Sequence, residues 1–207
     1  MSKVKYFIDQ SWLLIVSSFL FGLMIAAANS AWTPQIEKNA QEKLNRAMSS
    51  LVTQARSFEK AVQGLQIPVQ KGKPATTDIY MGVDESGRCA GFAFTASGFG
   101  FGGSINLIIG LDSSCQKFIG YSVISHTETP GFGDKICKAF FGDQFKGAPA
   151  AKLKLSKTAD PKLIDGEIAA ISGATVSSTA VVRMFNTYIT AVKDELQKKG
   201  LLTDVKR

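Results

Sequence analysis

Ser104-Ile105-Asn106-Leu107-Ile108-Ile109-Gly110-Leu111-Asp112, followed by the turn Asp112-Ser113-Ser114-Cys115 and by residues 116–125, QKFIGYSVIS, is the stretch on which the fold turns. Two short apolar runs joined by a polar turn read as consecutive strands, and so short a link makes them antiparallel. Upstream the same pattern repeats. Thr77 to Asp84 and Cys89 to Ser97 are strand-like and are joined by Asp84-Glu85-Ser86-Gly87, whose residue types favour a turn. Four strands in succession predict an antiparallel meander. Downstream, Val181, Val182, Phe185, Ile189, Val192 and Leu196 recur at helical spacing, so Ser178 to Lys199 is expected to be a core-packing helix stopped by Gly200. There is no βαβ alternation and no dinucleotide fingerprint, which makes the body α+β.

Before the strands, Ile36, Ala40, Leu44, Met48, Leu51, Val52, Ala55 and Phe58 predict an amphipathic helix between Gln35 and Gln63. Pro68, Gly72 and Pro74 then interrupt the periodicity, which places a domain boundary near Lys73. From Trp12 to Ala31 run twenty residues without a charge, and as a helix these reach roughly 30 Å, the thickness of a bilayer core. Lys3 and Lys5 lean the N-terminus towards the cytoplasm, whereas Lys38, Lys43 and Arg46 follow the run and weaken that signal. A cleaved signal peptide is the competing reading, because Ala26-Ala27-Ala28-Asn29-Ser30-Ala31 supplies small residues. The expected organisation is a transmembrane anchor over residues 1–34, an amphipathic helix and linker over 35–73, and an antiparallel-sheet domain with its C-terminal helix over 74–207.

Composition narrows the function. A net charge of +7 is spread along the chain with no dense Lys/Arg run, so a solvated basic surface is favoured over a nucleic-acid partner. Cys89, Cys115 and Cys137 have no CxxC spacing and His126 is the only histidine, which argues against a protein-ligated metal centre. Buried thiols are expected, although one bridge, such as Cys115 to Cys137, is compatible with an oxidising compartment.

Chemistry points to Ser172-Gly173-Ala174-Thr175-Val176-Ser177-Ser178, directly ahead of the last helix. Gly173 and Ala174 allow close approach to the backbone, Thr175 presents a hydroxyl, and Ser177 or Ser178 is expected to cap the helix. The first turn of a helix offers free N–H groups and the positive end of its dipole, so a phosphate esterified to Thr175 would be well placed. Alone, such a segment is more often a plain capped turn. Two others accompany it: the loop His126-Thr127-Glu128-Thr129-Pro130-Gly131-Phe132-Gly133-Asp134-Lys135, and Gly98-Phe99-Gly100-Phe101-Gly102-Gly103 leading into the strand from Ser104. Glycines 98, 100, 102 and 103 are expected to let the sheet edge approach a cofactor.

These three segments, in this order, resemble the FMN-binding domain shared by the G subunit of the Rnf ferredoxin:NAD oxidoreductase and the C subunit of the sodium-pumping NADH:quinone reductase. The resemblance covers roughly Thr77 to Leu196 and extends to the single N-terminal helix. It implies a membrane-anchored electron-transfer subunit, with the FMN domain on the extracytoplasmic side of the bacterial inner membrane, in a complex that couples ferredoxin/NAD electron transfer to sodium or proton translocation. It also implies FMN bound covalently through its phosphate to Thr175, attached by a separate flavin transferase that uses FAD and magnesium. Glu128, Thr129, Gly131, Phe132 and Gly133 would then lie against the flavin, with Phe132 on its face, and Ser172, Gly173, Ala174, Ser177 and Ser178 would shape the attachment turn. No side chain need act as acid or base, since the flavin carries the redox chemistry. The chain departs from the family pattern at Ala169, where an aspartate is usual. That leaves two other readings: the quinone reductase C subunit, or a non-redox, membrane-tethered module that has lost its flavin.

Overall fold

Helix α1 (Lys3–Leu51) runs without a break through the uncharged stretch and well past it. The computed structural model describes residues 3–68 and 74–202, so the predicted boundary near Lys73 lies outside the described residues. The chain separates into two compact units, residues 1–43 and 44–207. In the first, Trp12, Leu13, Leu14, Ile15, Phe19 and Ile25 are all more than half exposed. Helix α1 is long and apolar enough to cross a membrane.

The second unit is built on a five-stranded antiparallel sheet in the order β1-β2-β3-β4-β5: β1 (Ser57–Ile67), β2 (Ala75–Val83), β3 (Cys89–Phe99), β4 (Ser104–Asp112) and β5 (Phe118–His126). The four predicted strands are β2 to β5, joined in sequence as a meander. The first strand was not predicted, because residues 57–63 fall within the stretch expected to be helical and 64–67 within the expected linker. Ala55 and Phe58 continue the apolar spacing of α1, and two register shifts, between Lys60 and Val62 and between Val62 and Leu65, break the alternation that would mark a strand. With these bulges Phe58 faces one side of the sheet and Val62 and Ile67 the other, although an even spacing separates Phe58 from Val62. Phe58 therefore packs with Met48 and Tyr80, while Val62 and Ile67 enter the main core.

Helix α3 (Thr175–Lys198) lies on one face of the sheet. Phe185 is its central contact, with ring centroids 4.8 Å from Phe118 and 4.5 Å from Phe145. Tyr188 is 1% exposed, and its hydroxyl accepts the Ser97 N–H at 3.1 Å, tying the middle of α3 to the end of β3. The other face is covered by the last turns of α1. Met48 packs with Tyr80, Ala93 and Ile108, flanked by Leu44 and Leu51. Close approach here depends on Gly82, where a Cβ would stand 2.8 Å from that of Ala55 and 3.3 Å from Val52.

Between β5 and α3 the chain forms a 3₁₀ turn at Gly133–Cys137, the short helix α2 (Ala139–Gly142), a second 3₁₀ turn at Asp143–Phe145, and a parallel pair of strands, β6 (Lys154–Ser156) and β7 (Glu167–Ala169). This small parallel sheet was not expected. Gln144 holds it to the turn region: the Ala169 N–H donates to Oε1 at 2.7 Å and Nε2 donates back to the Ala169 carbonyl at 3.4 Å.

Candidate functional site

The turn before α3, the loop after β5 and the loop between β3 and β4 meet around a cavity of about 430 Å³, lined by Phe101, Glu128, Thr129, Phe132, Gly133, Gly173, Ala174, Thr175, Val176 and Ser177. All three segments singled out in the sequence contribute to it. The volume is that of an ordinary cofactor pocket, and the mixture of phenyl walls with a few polar groups is the usual lining of one. A larger hollow of about 1120 Å³ runs beside α3 past Lys152, Arg183 and Lys193. It contains none of the predicted site residues.

Thr175 is the first residue of α3, three positions earlier than the predicted start, and its side chain is exposed to the cavity. The residue before it, Ala174, occupies the cap position with no side-chain hydrogen bond. Helix geometry leaves the first N–H groups without intrahelical acceptors, so the N-terminus of this 24-residue helix presents donors and a positive dipole end where Thr175 stands. The chain reaches this geometry through Gly173, whose φ of +79° is easy only for glycine. A Cβ at Gly173 would also come to 3.4 Å from the Phe132 ring. On the same ring sits the Lys135 ammonium, 5.8 Å from the centroid.

Neither serine caps α3 as expected. Ser178 is fully buried; its hydroxyl donates to the Ala174 carbonyl at 2.9 Å and accepts the Ile171 N–H at 3.1 Å, fastening the turn to the helix from within. Ser177 turns towards Glu128 and donates to its Oε2 at 2.5 Å. Glu128 is 5% exposed. Its Oε1 accepts the Gly102 N–H at 3.1 Å, and its own N–H donates to His126 Nδ1 at 3.2 Å. One carboxylate thus joins the β3–β4 loop, the post-β5 loop and α3.

Of the predicted site residues, Glu128, Thr129, Phe132, Gly133, Gly173, Ala174, Thr175 and Ser177 line the cavity together; Gly131, Ser172 and Ser178 do not. Gly131 and Ser172 are exposed beside it, and Ser178 is enclosed behind it. The glycines of the β3–β4 loop serve a different purpose from the one expected. A Cβ on Gly100 would collide with the Glu128 carboxylate and one on Gly102 with the Thr127 carbonyl, so the space they leave is taken by protein. Gly98 makes the same kind of room for Met184. Phe101 and Val176 are lining residues to which sequence reasoning gave no role. Alternation of Phe with Gly from 98 to 103 was the available signal for Phe101, because a phenyl ring in a glycine-rich turn has little core to enter. Cys89, Cys115 and Cys137 are free thiols away from the cavity, and only Cys115 is fully buried.

Residues 100–190 match the FMN-binding domain family, and every lining residue falls inside that range. The chain is 33% identical over 169 residues to the G subunit of the ion-translocating oxidoreductase complex of Methanosarcina acetivorans, covering 82% of this chain and 85% of that protein. It is 30% identical over 170 residues to the G subunit of the proton-translocating ferredoxin:NAD(+) oxidoreductase complex of Clostridium ljungdahlii, covering 82% and 83%. The fold is similar to that of NqrC from Shewanella oneidensis, with a TM-score of 0.53 at 18% identity, over 70% of this chain and 73% of that one. With its sheet, its C-terminal helix and a cavity assembled from the family's segments, the chain belongs to the G subunits of ion-translocating oxidoreductase complexes.

Proposed function

We propose that this chain is the membrane-anchored flavin carrier of an Rnf-type complex, holding one FMN through a phosphodiester to Thr175. The supporting observation is the place of that hydroxyl: Thr175 opens α3 at an N-terminus with no side-chain cap and lines the aromatic-walled cavity. A phosphate ester there meets backbone donors and the helix dipole. Its ring would enter between Phe101 and Phe132. Bound FMN would supply one- and two-electron transfer; Thr175 would hold its phosphate, and Phe101 and Phe132 would offer it apolar contact.

Threonine is a weak nucleophile at neutral pH, and no hydrogen bond from its hydroxyl to a base is present among the described residues, so attachment is assigned to a separate flavin transferase acting on FAD with magnesium. Ala169, at the position where the family has an aspartate, keeps its strand conformation through both hydrogen bonds to Gln144. That argues for a turn able to accept the modification despite the missing carboxylate. The domain is assigned to the extracytoplasmic side, with α1 as a single span and the other Rnf subunits as neighbours. Electrons pass between ferredoxin and NAD while sodium ions or protons are moved.

Expression of the full chain with a flavin transferase should yield a band that fluoresces under ultraviolet light on a denaturing gel. Thr175→Ala should remove the fluorescence without removing the protein. A dark wild-type band would contradict covalent attachment.

A further inference from the structure

We propose that Glu128 sets the reduction potential of the flavin, by keeping a fixed negative charge in the cavity wall. The inference rests on the assignment of FMN to this cavity and goes beyond it. Each electron taken up by the ring adds negative charge unless a proton follows, so a carboxylate beside the ring opposes reduction and lowers the potential. The effect depends on the charge being held in place and on its surroundings being poor in water.

Glu128 is itself only 5% exposed, and its carboxylate is held in place at the cavity wall. The two carboxylate oxygens are occupied separately, Oε2 by the Ser177 hydroxyl at 2.5 Å and Oε1 by the Gly102 N–H at 3.1 Å. The carboxylate lies close against the backbone of Gly100 and Gly133, in space that a Cβ at either would fill. No lysine or arginine forms an ion pair with it among the described residues. The compensating partners are dipoles, those of one hydroxyl, one amide and the first turn of α3, which stabilise the charge without cancelling it.

Glu128→Gln separates charge from shape. Its amide oxygen can accept the Gly102 N–H, and its amide nitrogen can donate to Ser177 Oγ, which is able to accept. Packing is retained and the charge is lost. The full-length protein, flavinylated in cells and purified in detergent, should keep its fluorescent band and its unfolding temperature in this variant. Its midpoint potential, read by spectroelectrochemical titration, should rise. A roughly tenfold shift of the reduction equilibrium is expected, about 30 mV for a two-electron couple. An unchanged or lower potential would overturn the proposal. If Glu128→Gln carries no flavin, Ser177→Ala provides the test: it leaves the charge and removes a donor that offsets it, so the potential should stay equal or fall, and a rise would overturn the proposal. A wild-type protein without flavin would instead contradict the cavity assignment, and that is seen before any potential is measured.

Discussion

Thr175 and Gly173 make opposite demands on chemistry and backbone. Replacing Thr175 by Ser keeps a hydroxyl at the start of α3 but removes the methyl that limits its rotation, so partial flavin loading is expected where Thr175→Ala gives none; fluorescence per unit protein measures both. Gly173→Ala forces an L-residue to φ +79° and presses a methyl group towards Phe132. A loss of about 1–2 kcal/mol of stability is expected from the backbone alone, together with reduced loading, measurable by denaturant unfolding and by gel fluorescence. The thiols also differ. Burial pushes Cys115 up to about 12, with the Asp112 carboxylate adding to it, and burial raises Cys89 as well. Cys137 is raised too, by burial and by Asp134, yet is the exposed one of the three. Only the thiolate reacts, so near pH 8 a maleimide should modify Cys137 first and Cys115 only after unfolding. Rapid loss of all three thiols in the folded protein would show that the sheet and its neighbouring turns are more open than described.

Among the elements, those with a clean period were legible in the sequence. Strands β2 to β5 were bounded by recognisable turns, and the apolar stripe from Val181 to Leu196 marked the buried face of α3. Strand β1 was not legible, since Phe58 continued the apolar spacing of α1 and two bulges broke the strand's alternation, and only pairing with β2 decides the matter. The three segments of the site could be named from the sequence, but not their connection. Burial of Glu128 against Ser177, 49 positions away, is a tertiary fact that no local pattern encodes. For the same reason the serines were expected to cap α3, which is a local inference, whereas their partners are Glu128 and Ile171. Tyr188→Phe tests the long-range tie between α3 and β3. Loss of the bond to Ser97 should cost about 1 kcal/mol, seen as a lower urea midpoint with an unchanged slope.

For the whole molecule, the division at residue 43 separates anchoring from flavin binding. Residues 1–43 carry the uncharged run, and the unit from Leu44 onward keeps Met48 and Val52, which are 1% and 2% exposed. A chain beginning at Leu44 should therefore remain in the supernatant without detergent and unfold cooperatively. One beginning at Ser57 loses those two side chains and should be weaker by roughly 3 kcal/mol or more, measured by the same urea titration. The full chain should sediment with membranes and resist extraction by high salt. All of this would hold for any anchored domain of this fold; what the proposed function adds is an FMN bound to Thr175 at the start of α3. Trypsin releases residues 163–183 as one peptide that contains Thr175. Prepared from cells with an active flavin transferase and sequenced by mass spectrometry, this peptide is expected to carry one FMN on Thr175, whereas recovery of the bare peptide alone would contradict covalent attachment.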